Sequence, residues 1–352
     1  MKNFTYYRPK TAEEAVGLLQ GRWGVAELLA GGTDLLDLQK EYIAQPDKVV
    51  SINGIKELAG IRLNRTGVEI GAATTLAEIA ANDELRKIFP ALADAAAQIG
   101  GPQIRNMGTL GGNLCQRNRC WYFRDEAVNC LLKGGDKCFA LDGENRYHAV
   151  FAKGHKCVIV NPSTLAPALI ALDATATVIG AGKPSQVSLA SFFQAPSKPA
   201  ERETVLKPDQ MVTAVTIPYT PKRANASYEV RHKQSYDWPL VQAAVAFELD
   251  GGKAKNAKVV LGHVAPTPYV SAAAAKAING KEITEETAAA AGEAAKVVEG
   301  QDVTEDIATK AGQLAAKGAK PLSQNAYKVK LVEVAVKRAL LTAAGAKKYW
   351  EV

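Results

Sequence analysis

Short apolar runs alternate along the chain with stretches of helical spacing. Near the start, Thr11 and Glu14 form a capping box ahead of the apolar AVGLL segment, which predicts a helix. VAELLA, from Val25 to Ala30, is a continuous apolar run suited to a buried strand. It ends in AGGTD (Ala30 to Asp34), followed by the amphipathic LLDLQKEYI beginning at Leu35, and KVVSI then reads as a second strand. Residues 1–55 therefore read as a small βαβ-like unit. Further on, VEIGAATTLAEIA predicts a strand ending in Gly71 and a helix capped by Thr75 with Glu78. A helix is expected around ALADAAAQI, and APALIALDATATVIG reads as a buried helix running into a strand. QMVTAVTIP, Gln210 to Pro218, reads as an edge-like strand closed by proline. Residues 56–220 thus form an α+β domain with a mixed sheet. PYTPKRANA (Pro218 to Ala226) has the proline and charge content of a linker. Beyond it, two apolar strand patterns are joined by a DGG hairpin signal. From Ser271 the chain is alanine-rich and helical through Ala344, with breaks at NGK and KPLSQN. The expectation is a smaller C-terminal α+β domain over 226–330 and a terminal helix over 331–352.

Composition narrows the class. The chain has 352 residues, 47% hydrophobic and 22% charged, ordinary for a globular protein with two or three cores. No apolar run approaches the ~20 residues needed to span a bilayer. The formal charge is +7, but the basic residues are scattered among acids with no basic stripe, which argues against a nucleic-acid partner. The start, MKNFTYYRPKTAEEAV, has neither a secretory apolar region nor a twin-arginine signal. A cytoplasmic location is expected, or a periplasmic one if a signal-bearing partner subunit carries the chain across.

The distinctive chemistry lies between Ile99 and Cys157. A glycine-rich turn, IGGPQIRNMGTLGGN, runs into five cysteines, Cys115, Cys120, Cys130, Cys138 and Cys157, and the chain has no others. Glycines in such a turn let backbone N–H groups approach an anion. AGGTD repeats the theme: strand, double glycine and helix start aim N–H groups at phosphate, although a plain tight turn reads the same way. Disulfides that stabilise a fold of this size would be spread over it. The spacing Cys115-x4-Cys120-x9-Cys130-x7-Cys138-x18-Cys157 contains no CxxC, so neither a zinc ribbon nor the bacterial ferredoxin run fits. Spacing alone leaves open both a metal or cluster and free, partly buried thiols. The insert at about 117–158 is rich in Gly, Asn, Lys and Asp and needs a staple other than its own core. Arg117, Arg119, Arg124, Lys133 and Lys137 are expected to offset an anionic cluster. The four histidines (His148, His155, His232, His263) are isolated and read as ordinary hydrogen-bonded side chains.

AGGTD at 30–34, IGAATT at 70–75, TLGGN at 109–113 and SYDWPLV at 235–241 together resemble one family, the FAD-binding medium subunit of molybdenum hydroxylases. This family includes the xanthine dehydrogenase, carbon monoxide dehydrogenase and aldehyde oxidoreductase types, and the resemblance covers nearly the whole chain. It implies a two-part FAD-binding domain of the vanillyl-alcohol-oxidase/carbon-monoxide-dehydrogenase flavoprotein type, followed by the smaller C-terminal domain. It also implies noncovalent FAD held by Leu29, Ala30, Gly31, Gly32, Thr33, Asp34 and Leu35 with Thr109, Leu110, Gly111, Gly112 and Asn113. The insert resembles the subset with an extra 4Fe–4S cluster, whose pattern places the ligands on Cys120, Cys130, Cys138 and Cys157 and leaves Cys115 out. Two positions depart from the family pattern. Thr164 replaces an aspartate and can still hydrogen-bond a ribityl or ribose hydroxyl. Glu229 stands where many relatives have lysine, with Arg231 or Lys233 as substitutes.

The implied role is an electron-transfer subunit. Electrons would pass from a molybdopterin-binding large subunit through a 2Fe–2S small subunit to FAD and on to an external acceptor. Alternatives are the flavin subunit of a 4-hydroxybenzoyl-CoA reductase-like enzyme, a stand-alone flavin oxidase, and a zinc-stabilised module without catalysis.

Overall fold

In the first sheet, apolar runs lie parallel because helices cross over between them. β1 (Thr5–Tyr7) and β2 (Ala26–Leu29) both pair with the central β3 (Lys48–Ser51). The computed structural model describes residues 1–234, 236–250, 253–279, 314, 317–343 and 345. Helix Ala12–Leu18 starts as its sequence predicts, the Thr11 hydroxyl accepting from the Glu14 N–H. Val50 and Ile52 pack with Ile179 and Met211 of the next sheet, so the first two units share a core.

The second sheet has five strands in the order β4 (Ile61–Asn64), β5 (Gly67–Gly71), β8 (Met211–Pro218), β6 (Thr175–Ile179), β7 (Ser185–Ser188). Two expectations are corrected here. The sheet is antiparallel throughout rather than mixed. β8 is its central strand, not an edge: Pro218 is the last residue and pairs with Gly67 at the sheet's end, where a missing N–H removes little of the ladder. Helix Leu76–Ala81 carries the full capping box of Thr75 and Glu78. With helices Pro90–Gln98 and Leu165–Ala171 it covers one face of this sheet, burying Ile79, Leu92 and Leu169.

The third sheet, β9 (Arg223–Val230), β10 (Val241–Asp250), β11 (Lys253–Gly262) and β12 (Tyr269–Val270), is an antiparallel meander. The expected linker is shorter than its composition implies. Arg223 already pairs with Glu248 in the ladder, and its guanidinium binds Asp173 and the Ala171 carbonyl. Gly251 and Gly252 of the hairpin and the alanine-rich stretch 280–313 lie outside the described residues. Helix Tyr327–Ala343 lays Val332, Val336, Ala339 and Leu340 on this sheet against Val245, Phe247 and Val259.

Leu340 is fully buried in that layer. Leu340→Ala should cost about 2–5 kcal/mol of stability, read as a lower urea midpoint with an unchanged denaturant slope.

Candidate functional site

The two glycine motifs, far apart in sequence, meet at backbone distance. A Cβ at Gly31 would overlap the carbonyl oxygen of Met107, so only glycine lets the first turn lie against the approach to the second. Gly32 follows in the left-handed conformation, φ +74°. The expected long glycine turn is in fact two short helices, Pro102–Met107 and Leu110–Cys115, hinged at Gly108 and Thr109. The Thr109 hydroxyl caps the second by accepting from the Gly112 N–H at 3.1 Å. Thr75 and Thr109 form an isolated β-bridge, which ties this hinge to the start of the helix Leu76–Ala81.

Two adjoining clefts lie across the turns. One, enclosing about 1490 Å³ with its open mouth, takes in Ala30, Gly31, Gly32, Thr33, Asp34, Leu35, Thr109, Gly111 and Gly112, and extends to Trp23, Glu27 and Arg202. The other, about 1190 Å³, takes in Thr33, Asp34, Thr109, Gly112, Asn113 and Thr164, and is walled by Gln98 to Gly101 and by Tyr236 to Pro239. Thr33, Asp34, Thr109, Gly112 and Gln116 line both. Leu29 and Leu110 line neither. Leu110 is fully buried in the core of the second sheet, and the Leu29 carbonyl accepts from the Ile52 N–H.

Several walls escape sequence reasoning. The SYDWPLV motif marks the loop but not what its side chains do. Tyr236, at φ +56°, rests its ring on Gly101, where a Cβ would overlap it. Trp238 stacks on the Arg119 guanidinium at 4.9 Å. At the far end of the first cleft, Arg202 lies over Trp23 at 4.9 Å and pairs with Glu27 at 2.9 Å. No sequence signal links these positions, because they come from three separate segments.

Asp34 does not present a free carboxylate to either cleft. It accepts from the Arg117 N–H at 2.8 Å and pairs with Arg124 at 2.6 Å and Arg119 at 3.1 Å. Arg124 also reaches Asp37 at 2.9 Å, and Arg117 pairs with the buried Glu203 at 2.7 Å. The three arginines expected to balance an anionic cluster are therefore balanced by carboxylates of the fold. Lys137 lies over the Phe139 ring, and Lys133 donates to the Asp125 carbonyl.

The cysteines divide as the spacing could not show. Cys115 ends the helix at Leu110–Cys115 and lines the first cleft. Cys120, Cys130 and Cys157 pack in one apolar pocket with Leu38, Phe123 and Ile159, and Cys138 sits beside it with Ala140 and Val158. The thiols of Cys138 and Cys157 hydrogen-bond each other; this pulls Cys138 down to about 6 and pushes Cys157 up. Burial raises Cys120 to about 12, and it feels the charges of Cys130 and Cys138. Among the described residues no three His, Cys, Asp or Glu side chains stand close enough to share a single metal ion.

Three of the four histidines are hydrogen-bonded, as ordinary side chains would be, His155 through its Nδ1 to the backbone of Cys157. His148 Nε2 lies 3.2 Å from Cys120 Sγ, and His263 Nε2 lies 3.4 Å from the Thr164 hydroxyl. Lys328, buried and drawn down to about 7 by that burial, donates to the carbonyls of Tyr147, His148 and His263. Glu229 does not face the clefts. It lies buried opposite Gln242 on β10, its Oε1 without a hydrogen-bond partner, and desolvation raises it to about 7. Arg231, the expected substitute, instead donates to the carbonyl and side-chain oxygens of Gln98 on the cleft wall.

With this arrangement in view, the relatives are informative. Residues 2–220 match the family described as FAD binding domain in molybdopterin dehydrogenase, and residues 226–298 match the CO dehydrogenase flavoprotein C-terminal domain. The chain belongs to the first of these families, the FAD-binding medium subunits of the molybdenum hydroxylases, which are components of oxidoreductases. It is 36% identical to the aldehyde oxidoreductase FAD-binding subunit PaoB of Escherichia coli over 82% of this chain and 90% of that one. It is 28% identical to the carbon monoxide dehydrogenase medium chain of Hydrogenophaga pseudoflava over 82% of this chain and 85% of the other. Among solved structures, the reconstituted CO dehydrogenase from Oligotropha carboxidovorans matches with a TM-score of 0.72 at 25% identity, covering 98% of this chain and 99% of that one. No helix among the described residues is long and apolar enough to cross a membrane.

Two outcomes follow from this geometry. Gly31→Ala should force the first turn away from Met107 and lower the flavin retained per chain after gel filtration at least several-fold, measured by absorbance. The raised Glu229 binds its proton more tightly folded than unfolded, so its contribution to stability is present below the ordinary carboxylate range and is lost as pH rises through about 7. Glu229→Gln should therefore be more stable than the native chain at pH 8 and lose that advantage at pH 5, as read by thermal melts.

Proposed function

We propose that this chain is the electron-transfer flavin subunit of a molybdenum hydroxylase, holding FAD across its two glycine turns and a 4Fe–4S cluster on Cys120, Cys130, Cys138 and Cys157. The observation that carries the reading is the meeting of Gly31 with the Met107 carbonyl beneath two clefts that share Thr33, Asp34, Thr109 and Gly112. A dinucleotide needs this kind of site: a long furrow whose middle offers backbone N–H groups to the pyrophosphate. Ala30 to Leu35 and Thr109 to Asn113 supply that middle, with the Thr33 hydroxyl and the Asn113 amide as side-chain partners. Leu29 and Leu110 act from behind, one in the strand that delivers the first turn and one anchoring the second in the core. Thr164 offers its hydroxyl to a sugar or ribityl oxygen. Tyr236 and Trp238 wall the second cleft and exclude water there. When bound, the flavin supplies the electron-accepting chemistry, and the protein supplies placement and electrostatics.

The cysteine arrangement supports the second half of the proposal. Cys120 and Cys157 are held back from ionising, Cys120 chiefly by burial and Cys157 by the Cys138 thiol and by burial, and cationic metal bound to the thiolates relieves that cost. In this reading a molybdopterin-binding large subunit and a 2Fe–2S small subunit deliver electrons, and an external acceptor removes them.

Purifying the chain anaerobically and measuring flavin and iron tests both halves. FAD together with ~4 iron atoms per chain is expected. Cys130→Ser should lose the iron and keep the flavin. FAD without iron in the native chain would remove the cluster, and a colourless preparation holding one zinc would replace the whole reading.

A further inference from the structure

We propose that His148 is a positioning residue for the thiolate cage, its Nε2–H donating to the sulfur of Cys120 and thereby raising the reduction potential of the cluster bound there. The inference rests on the cluster reading above.

His148 comes from the far end of the insert, 28 residues beyond Cys120, and its Nε2 lies 3.2 Å from the Cys120 sulfur. The residue is only 4% exposed. Its ring is held edge-on by Trp121 at 5.7 Å and flanked by Tyr122 at 6.4 Å. Its backbone is fixed on both sides: the N–H donates to the Asn145 carbonyl, and its own carbonyl accepts from Asn325 Nδ2 and Lys328 Nζ. The ring therefore cannot swing away from the sulfur without dismantling that frame.

Chemistry assigns the direction of the hydrogen bond. Nε2 faces the Cys120 sulfur, and the ring also feels the Asn145 backbone. A metal-bound cysteine is a thiolate with no proton to give, so the imidazole must donate. One-electron reduction adds negative charge to the cage. A donor on one of its sulfurs stabilises that charge more than it stabilises the oxidised form, which moves the potential upward. Among the described residues His148 adds a side-chain N–H at Cys120 to the backbone N–H groups that reach Cys120, Cys138 and Cys157.

The experiment uses the full chain, purified anaerobically, with flavin and iron determined first. A dithionite titration followed by electron paramagnetic resonance then compares the native chain with His148→Phe, which keeps a flat ring without the N–H, and His148→Gln, which keeps an N–H donor. All three should hold the same iron and flavin. The midpoint potential should fall in His148→Phe and be restored at least in part in His148→Gln, with altered signal anisotropy in the phenylalanine chain. An unchanged potential in His148→Phe, or a His148→Gln potential no higher than that of His148→Phe, would overturn the assignment. So would a folded His148→Phe chain that keeps flavin but loses iron, because the imidazole would then hold the sulfur rather than tune it. A native chain with no iron would instead sink the cluster reading itself, a result distinct from all of these.

Discussion

The ion cluster around Asp34 is the joint on which the rest of the molecule turns. Its carboxylate closes the first glycine turn and at the same moment holds Arg119, Arg124 and the Arg117 N–H of the cysteine-bearing insert. These groups are largely shielded from solvent, so the pairing is less screened than an ordinary surface bridge, and removing one partner would leave buried charge uncompensated. The turn that shapes the cleft and the loop that carries the thiols are thereby placed as one object. Arg119 extends the joint outward by stacking beneath Trp238 on the wall of the second cleft.

Around this joint the three sheets contribute rigidity of different kinds. The small parallel sheet is too short to stand alone and borrows Ile179 and Met211 from its neighbour. Thr75, which caps the helix Leu76–Ala81 packed on the five-stranded sheet, supplies the bridge to Thr109 that fixes the second turn. The third sheet shares Ala244, Ala246 and Val260 with the core of the second. It closes the floor beneath Thr164, where Gln242 donates to the Thr164 carbonyl and to the Ser227 hydroxyl. Buried polar groups are thus concentrated under the second cleft, where a fixed network positions the wall rather than binding solvent.

Much of this is legible in the residues. Capping boxes at Thr11 and Thr75 mark helix starts correctly because the signal is local, and the double glycines mark a place where backbone must approach closely. What cannot be read is pairing between distant segments. The apolar alternation of 210–218 fits an edge strand or a central one equally well, and only its two neighbours in the sheet decide. Asp34 looks like a ligand-facing acid in sequence, since nothing at positions 30–34 announces three arginine-bearing residues some eighty to ninety positions later. His148 looks isolated for the same reason: its partner is a sulfur brought to it by the fold of the insert. Glu229 occupies a familiar motif position, yet the strand's alternation turns it inward, away from the cleft.

The insert is also bound to the last described segment of the chain. Asn145 exchanges hydrogen bonds with Ser323 and with both the backbone and side chain of Gln324, while Asn325 collects the carbonyls of Asn145, His148 and Ala149. Tyr327 and Lys328 take the carbonyls of Arg146 and Tyr147. A loop secured this way is not a portable cassette. Grafted into a relative without a matching 322–328, it would arrive with half its scaffolding missing, so the two segments must be transplanted, and inherited, together.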